Sequence, residues 1–290
     1  MSRLATVHGI IARDLQRSAR QRSRLIGGLA RPFLWLVLIG SGYNAIARLE
    51  GGLSYQAFVL PGVVVMAALF GGTLTAVSTV YDREFGMLRL MLSSPAGVPA
   101  LLGGRTVSAA LVGTLQGGIV LLVAPLIAPI APAAFARAGL ALALAALSSG
   151  TLGLLVAARL RSVENFAGVI NVVLFPLLFL SGALYPTTTL PPLLRALTAI
   201  NPVTYQVDLM RQAFGQPGEF TLGRNLAALA LTTGFAFSAA VLLFDPEQRF
   251  IGRRGSSGNP ERPAGPASPD GAGIGSAPAA VAGPGPAPRP

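Results

Sequence analysis

The sequence predicts an all-α, polytopic membrane protein, and three features support that prediction. Of the 290 residues, 52% are hydrophobic and only 11% are charged, whereas a soluble domain carries roughly 25% charged residues. Six apolar runs are close to the roughly 20 residues that a helix needs to cross the hydrocarbon core of a bilayer. The basic residues, all 22 of which are arginine, fall mostly on one side of those runs.

A short amphipathic helix is predicted before the first apolar run. Its two stripes consist of apolar Leu4, Val7, Ile11 and Leu15 and of basic Arg13, Arg17, Arg20 and Arg24. A helix of this kind lies in the interface of an anionic lipid leaflet. The alternative is a solvated basic arm that binds nucleic acid. Because a transmembrane segment follows directly, membrane lipid is the favoured partner and no nucleic acid is expected.

The six apolar runs are the predicted transmembrane helices. They are residues 26–47, 58–80, 106–130, 139–158, 166–184 and 226–244. Arg31 and Pro32 interrupt the first run, and we expect Arg31 to extend towards the lipid headgroups. In the third run, Gly113 and Gly117 have the G-x-x-x-G spacing that lets helices approach closely, which predicts a packing seam.

The arginines predict which ends of these helices face the cytoplasm. With a cytoplasmic N-terminus, 17 of the 22 arginines lie on the cytoplasmic side, as the positive-inside rule requires. We therefore expect a multi-pass protein of a bacterial plasma (inner) membrane with both termini in the cytoplasm. Residues 1–250 are expected to form the membrane domain. Residues 251–290, rich in Pro, Gly and Ala, cannot bury enough apolar surface and are expected to be a disordered cytoplasmic tail.

Missing residue types exclude several functions. Without lysine the chain cannot contain the phosphate-binding loop G-x-x-x-x-G-K-[ST], so any ATP hydrolysis must occur in a partner. Without cysteine and with His8 as the single histidine, thiolate centres and clusters of imidazole ligands are also excluded. No set of nucleophile, base and orienting group is visible. We therefore expect a protein that is not an enzyme, with no catalytic residue, metal or cofactor of its own.

The acidic residues distinguish between kinds of transporter. All 11 of them lie in loops or near the ends of the apolar runs. A proton- or sodium-coupled carrier usually places an ionisable group near the membrane midplane. An ion-coupled secondary carrier is therefore disfavoured but stays open, since backbone carbonyls also bind sodium. A non-transporting membrane scaffold is a further alternative.

The most specific segment is the loop after the second run, residues 81–95. A short amphipathic helix is predicted there, with an apolar face and several charges: Phe85, Leu88 and Leu92, with Arg83, Glu84 and Arg89. Ser93-Ser94-Pro95 ends the pattern. A helix that projects from a membrane domain in this way suits a cytoplasmic partner.

At these residues the chain resembles the type-2 ABC exporter permease family, which includes daunorubicin and nodulation-factor exporters. The residues that match its first cytoplasmic loop are Glu84, Gly86, Leu88, Ser94 and Pro95. Met87 and Arg89 stand where Thr and Glu are frequent. The resemblance implies that this segment couples the permease to a separate ATPase subunit. The implied coupling residues are Arg83, Glu84, Phe85, Gly86, Leu88, Arg89 and Leu92.

A second stretch of resemblance follows the fifth run. Residues 180–186, ending in Tyr185-Pro186, lead to Asn201-Pro202-Val203-Thr204-Tyr205 and then to Arg211, an order similar to the family's signature before its last span. The resemblance places an outer gate at Pro186, Pro202, Tyr205 and Arg211.

Two short helices are predicted in this part of the chain, at 191–200 and 203–214. Both are too short and too polar to span a bilayer. The second has one apolar stripe, formed by Val203, Val207, Met210 and Phe214. We expect both helices to lie at the outer membrane face and to cap the exit of a pathway; an ordinary extracellular loop is the alternative.

The function that the resemblance implies is the membrane-spanning permease half of an ATP-driven exporter with alternating access. It further implies a permease homodimer joined to two cytoplasmic ATP-binding ABC subunits. ATP would then be bound by the partner subunit and not by this chain.

Overall fold

The computed structural model describes residues 3–44, 54–88, 97–127 and 130–256, and in these ranges the chain is helical, with no strand. This confirms the all-α prediction. In chain order the α-helices are α1 (Arg3–Arg20), α2 (Arg22–Leu34), α3 (Gly40–Asn44), α4 (Tyr55–Glu84), α5 (Gly97–Val123), α6 (Pro132–Ala157), α7 (Val163–Phe179), α8 (Pro192–Ile200), α9 (Pro202–Ala213) and α10 (Leu222–Ser256). A π-helical turn, Trp35–Ile39, joins α2 to α3.

Five segments of the described chain are long and apolar enough to cross a membrane. They are Ile26–Tyr43, Tyr55–Glu84, Gly97–Leu126, Pro132–Ala157 and Leu222–Phe244. Five of the predicted runs fall on these segments, as far as the described residues extend. The polytopic membrane protein predicted from the sequence is therefore confirmed.

The remaining predicted run, residues 166–184, corresponds to the shorter apolar helix α7, which has 17 residues. α7 ends at Phe179, and the chain turns at Gly182, where φ is +76°. Glycine adopts that conformation without the strain that a side chain would bring. The turn separates the last residues of the predicted run from the helix, so the sixth apolar segment is shorter than predicted.

α4 lies in the middle of the bundle and packs on α5 and α6. A Cβ on Gly113 of α5 would lie only 2.7 Å from the carbonyl oxygen of Ala68 in α4, and one on Gly117 only 2.4 Å from Leu142 Cδ1 in α6. Separations this short leave no room for a side chain. The predicted glycine seam is therefore confirmed, and it brings α5 against both neighbours.

The N-terminal helix α1 forms as predicted, but it packs on the bundle through a different face. Ile10 is buried, and a Cβ on Gly104 of α5 would lie 3.3 Å from its Cγ2. Ile11, from the predicted apolar stripe, is only partly buried. The close approach of α1 to α5 at Gly104 decides which face is covered.

α8 and α9 are the two short helices predicted before the last span. α8 is mostly exposed, whereas α9 is buried on nearly every side between α4, α6 and α10. The single predicted stripe on α9 describes only part of that surface, because its polar residues are enclosed as well. The buried polar residues are Thr204, Gln206, Asp208 and Arg211. α9 is therefore part of the bundle and not a helix resting on its surface.

The bundle has two ends, which we call the α1 end and the α9 end. At the α1 end, α4 finishes beside α1, where Arg17 Nη1 donates to Ser78 Oγ at 3.2 Å. At the α9 end, α4 begins close to the turns that flank α9. There the Tyr55 hydroxyl donates to the Leu184 carbonyl at 2.8 Å. Since α4 has 30 residues, its two ends are about 45 Å apart at 1.5 Å per residue.

Candidate functional site

The predicted coupling segment begins as the last turn of α4 and not as a separate helix. Arg83 and Glu84 are the final helical residues of α4, and Phe85 caps it. Gly86 then takes a φ of +75°, a conformation that favours glycine and ends helices. The predicted uninterrupted helix over 83–92 is therefore wrong at its start, because the chain turns sharply after α4.

Two apolar residues of this segment, predicted to share a helix face, have opposite environments. Phe85 is 62% exposed, whereas Leu88 is 1% exposed. Leu88 packs in an apolar cluster with Ile10 of α1 and Phe244 of α10. The turn after α4 separates the two side chains. The other coupling candidates of the segment lie outside the described residues: Arg89 and Leu92.

Arg83 connects α4 to the C-terminal end of α6. Its Nη1 donates to three carbonyl oxygens, those of Ala157 at 2.9 Å, Ala158 at 3.0 Å and Leu160 at 2.8 Å. The last carbonyls of a helix lack intrahelical partners, and the negative end of the helix dipole favours a cation. The guanidinium carbon also lies 4.5 Å from the ring centroid of Phe244, a cation–π distance. Arg83 thus contacts both α6 and α10.

Glu84 makes the matching connection to α7. Its Oε2 accepts a hydrogen bond from the N–H of Val163, the first residue of α7, at 2.9 Å. The first N–H groups of a helix are also unpaired, and the positive end of its dipole favours a carboxylate. We call Arg83 and Glu84, together with these contacts, the α4 bridge. It ties the end of α4 to both sides of the α6–α7 connection.

Three large side chains beside the α4 bridge are exposed. They are Tyr81, Phe85 and Met87, with exposed fractions of 40%, 62% and 48%. The rings of Tyr81 and Phe85 lie 4.4 Å apart between centroids, so they form one surface. Adjacent exposed apolar side chains next to charged groups are typical of a protein interaction site. We call these three residues the aromatic patch.

Asp82, one residue before the α4 bridge, accepts hydrogen bonds from three arginines. Arg13 Nη2 and Arg17 Nη1, both from α1, are each 3.0 Å from its carboxylate oxygens. Arg105 of α5, which is fully buried, also donates to Asp82. A single carboxylate on α4 therefore joins α1 and α5.

Charge is unevenly balanced around Asp82. Asp14 adds a second carboxylate, whose Oδ1 lies 2.9 Å from Arg13 Nη2, so two acids face three guanidinium groups. Burial lowers the pKa of Arg13, but attraction to Asp14 and then to Asp82 outweighs it and the net shift is upward. No role was predicted for Asp82 from the sequence. The available signal was the four-residue spacing of Arg13 and Arg17, which places both on one face of α1.

The predicted outer-gate residues all lie around the α9 end. Pro202 is the first residue of α9, capped by Asn201, whose Oδ1 accepts from the N–H of Val203 at 3.0 Å. This is the usual place for a proline in a helix. Pro186 precedes a short 3₁₀ turn, Thr187–Thr189. The two prolines thus set where structured turns begin.

The other two predicted gate residues face into the bundle. The Tyr205 hydroxyl donates to the Ala199 carbonyl at 2.6 Å. Arg211 is 5% exposed and donates to the Gly182 carbonyl, and its guanidinium carbon lies 4.1 Å from the ring centroid of Phe58 in α4. Arg211 therefore holds the turn after α7 against the start of α4.

Asp208 is a hydrogen-bond centre at the α9 end that the sequence analysis missed. Its carboxylate accepts from the backbone N–H groups of Glu219 at 2.6 Å and Phe220 at 3.2 Å, and from the side-chain amides of Asn225 at 2.7 Å and Gln212 at 3.0 Å. Asp208 thereby fixes α9 to the start of α10. In the described ranges, no three His, Cys, Asp or Glu side chains are arranged to hold a metal ion.

Comparison with known proteins identifies the family. Residues 7–214 match the family model described as ABC-2 type transporter. The chain belongs to this family. The matched region runs from α1 to the end of α9, so it includes the α4 bridge and the predicted gate residues of this ABC-2 permease.

Curated relatives agree with the family. Nodulation protein J of Neorhizobium galegae is 28% identical over 222 residues, which are 75% of this chain and 85% of that protein. Nodulation protein J of Rhizobium leguminosarum bv. viciae is 27% identical over 75% of this chain and 86% of that protein. The transport permease ycf38 of Cyanophora paradoxa is 28% identical over 66% and 68%. The ABC-2 permease is therefore the membrane-spanning permease subunit of an ABC exporter. Permeases of this family associate with an ATP-binding ABC subunit.

Proposed function

We propose that this permease works as a homodimer in a bacterial inner membrane, with two separate ATP-binding subunits docked at its α1 end. The absence of lysine supports separate ATP-binding subunits, because the chain has no phosphate-binding loop. The excess of arginine near the α1 end supports a cytoplasmic location for that end and for both termini. Membrane lipid surrounds the spans, and residues 251–290 form a cytoplasmic tail outside the permease domain of residues 1–250.

The aromatic patch is the proposed docking surface for the ATP-binding subunit. Tyr81, Phe85 and Met87 are exposed, and the rings of Tyr81 and Phe85 are in contact; exposed aromatic and Met side chains are enriched in protein interfaces. Arg89 and Leu92, which lie outside the described residues, are proposed as further coupling residues. The family supports the existence of the partner, and the exposure of the patch supports the position of its docking site.

The single observation that carries the coupling mechanism is the α4 bridge. Movement of the aromatic patch is transmitted to α6 through the three hydrogen bonds of Arg83 and to α7 through the bond from Val163 to Glu84. ATP binding closes the two ATP-binding subunits, and the spans tilt from inward-open to outward-open. Hydrolysis in the partner resets the cycle, a rigid-body switch between two states. This chain itself catalyses no reaction.

The outer gate lies at the opposite end of the same helices. Pro186, Pro202, Tyr205 and Arg211 hold α8 and α9 beside the start of α4, and the substrate leaves past them in the outward-open state. The contact of Arg211 with Phe58 of α4 supports a connection between the outer gate and the docking surface, because α4 also carries the α4 bridge. The family match favours this exporter over the ion-coupled carrier and over the scaffold.

Glu84→Gln tests the coupling mechanism. The change removes the charge of the carboxylate that bonds the end of α4 to the first N–H of α7, so we expect ATPase stimulation and export to fall about 3- to 10-fold, equivalent to about 1 kcal/mol. Both are measured in vesicles that contain the permease and the ATP-binding subunit that co-purifies with it. Glu164→Gln is the matched control, because Glu164 is an exposed acid in the first turn of the same helix.

A labelling experiment locates the docking surface in the same preparation. The chain has no cysteine, so Phe85→Cys introduces a unique thiol. We expect an impermeant maleimide to label it from the cytoplasmic side only, and bound ATP-binding subunit to protect it. Full activity of the Glu84 variant would remove the coupling role, and labelling from the outer side would reverse the proposed topology.

A further inference from the structure

Arg31 has an unusual position for a charged residue of a membrane protein. Its guanidinium carbon lies 4.5 Å from the ring centroid of Phe70 in α4 and 5.8 Å from that of Phe175 in α7. Phe70 is 14 residues before Glu84 at the end of α4, or about 21 Å at 1.5 Å per residue. The prediction that Arg31 extends to the headgroups is therefore wrong, because two aromatic rings hold its partly buried side chain beside the middle of α4.

No carboxylate balances Arg31 at this depth. Within the described helices its contacts are those two ring contacts, with no ion pair or hydrogen bond. The acids nearest to the ends of the spans are far from it, with Asp82 at the α1 end and Asp208 at the α9 end. Since all 11 acids of the sequence lie outside the middle of the apolar runs, a second copy of the chain would not supply one either. An ionisable group inside a membrane is costly and commonly marks a functional site.

A second buried polar side chain packs against α2 about one helical turn before Arg31. Gln116 of α5 is completely buried, and among the described residues neither its Oε1 nor its Nε2 has a hydrogen-bond partner. A Cβ on Gly28 would lie 2.9 Å from Oε1, and one on Gly71 would lie 3.1 Å from it. Gly28 is three residues before Arg31, about one helical turn, and Gly71 is the next residue after Phe70. The amide and the guanidinium therefore occupy neighbouring layers of the bundle.

We propose that Arg31, assisted by Gln116, binds the oxyanion of an exported amphiphile, a phosphate, sulfate or carboxylate attached to an apolar chain. The guanidinium offers donors in a planar fork that suits such oxygens, and its charge strengthens each bond. The amide of Gln116 adds a further donor. This inference deepens the proposed export function and rests on it, since it names the class of substrate that the permease moves.

The surroundings of Arg31 support an amphiphile as the ligand. A small apolar recess beside Phe175 is lined by Trp35, Met66 and Phe179, so the surroundings on this side of Arg31 are apolar. Headgroups of resident phospholipids lie about 15 Å from the midplane, at the edges of a hydrocarbon core about 30 Å thick. A fixed cation inside the core therefore meets an anionic headgroup only while that headgroup crosses the membrane, and it offsets the cost of burying the negative charge.

Trp35 provides a direct assay because it is the only tryptophan in the chain. Its ring lies 5.8 Å from that of Phe179, within the proposed site. The full chain in phosphatidylcholine nanodiscs is titrated with dodecyl phosphate that carries bromine on its chain, and quenching of Trp35 is recorded. We expect saturable quenching and an affinity at least tenfold higher than that of brominated dodecanol.

Variants separate the roles of the two polar groups. Arg31→Gln should lower the affinity for dodecyl phosphate at least tenfold and leave that for dodecanol unchanged. The affinity of Arg31→Lys for dodecyl phosphate should lie between those of the unchanged chain and of Arg31→Gln, because lysine keeps the charge but loses the planar fork of donors. Gln116→Leu, a buried change of similar volume, should lower the affinity a few-fold. Arg137→Gln, at an exposed position on α6, is the matched control.

Several results would overturn the proposal. Unchanged phosphate affinity in Arg31→Gln, with normal elution of the folded chain, would remove the oxyanion site. Displacement by an equal concentration of inorganic phosphate would make the ligand a free anion, and block by phosphatidylglycerol in the nanodiscs would make it a resident lipid. The assay needs no ATP-binding subunit, so its failure is distinguishable from failure of the coupling tested with Glu84→Gln.

Discussion

Two aspartates, each buried at one end of the bundle, are stabilised by different chemistry. Asp82 at the α1 end is surrounded by guanidinium groups of Arg13, Arg17 and Arg105. In the part of the chain that the structure describes, Asp208 at the α9 end accepts from backbone N–H groups and side-chain amides. Arg13 is 69 residues from Asp82 along the chain, whereas the amide donor Asn225 is 17 residues from Asp208. The α1 end is therefore held by charge between distant helices, and the α9 end by directional bonds within one local segment.

This difference in bonding corresponds to the roles proposed for the two ends, coupling at the α1 end and the outer gate at the α9 end. Arginine side chains are long, and two of those at Asp82 are partly exposed, Arg13 by 36% and Arg17 by 29%. Ion pairs of this kind tolerate small rearrangements of α1 against α4. The hydrogen bonds of Asp208 are geometrically demanding, so they hold α9 in one position. We therefore expect the contacts at the α1 end to adjust when the aromatic patch moves, and we expect the α9 end to move as a unit.

Asp82→Asn should lower the free energy of unfolding more than the other two substitutions that test this comparison. It removes the charge that three arginines share, and uncompensated buried charge costs about 3–5 kcal/mol of the free energy of unfolding. Chemical unfolding in detergent micelles, followed by circular dichroism, measures the loss. Glu164→Gln serves as the control, because Glu164 is an exposed acid near the same end. Equal stability of the two variants would show that the arginines do not depend on Asp82.

Asp208→Asn should have an intermediate effect. Asparagine keeps one acceptor oxygen, but its NH₂ group would face donors that now point at the second carboxylate oxygen. Leaving such donors unpaired costs about 1–3 kcal/mol of the free energy of unfolding. The same unfolding measurement checks the value. Among the described residues no guanidinium donates to Asp208, so the loss should change little between low and high salt. A strong salt dependence would contradict the distinction between the two ends.

Arg17→Gln should have the smallest effect. Arg17 is partly exposed, so its ion pair with Asp82 is worth about 1 kcal/mol, together with the bond to Ser78 and the contact of its guanidinium carbon 4.9 Å from the Tyr81 ring centroid. Hydrogen exchange of α1 amides should become faster in the variant. Arg20→Gln, exposed at the end of the same helix, should leave exchange unchanged, and equal acceleration in both would assign the effect to general loss of charge.

Sequence patterns predicted the spans well because each long apolar run is local information. They indicated where in the chain the proposed coupling segment and the proposed gate residues lie, but they did not predict the local structure of either segment. The turn at Gly86 and the burial of α9 depend on contacts with other helices. Likewise, the apolar stripe of α1 was assigned to Ile11, whereas the approach of α1 to Gly104 buries Ile10.

Sequence alone determined that this chain is an all-α, multi-pass membrane protein without a nucleotide-binding loop, since hydrocarbon thickness and residue composition leave few other structures. The tertiary structure decided which charges meet. In the sequence, nothing about Asp82, Asp208 or Arg31 shows which side chains will surround it. Their three environments, arginines, hydrogen-bond donors and aromatic rings, depend on which helices pack together, and that choice is made by steric fit at positions such as Gly113 and Gly117.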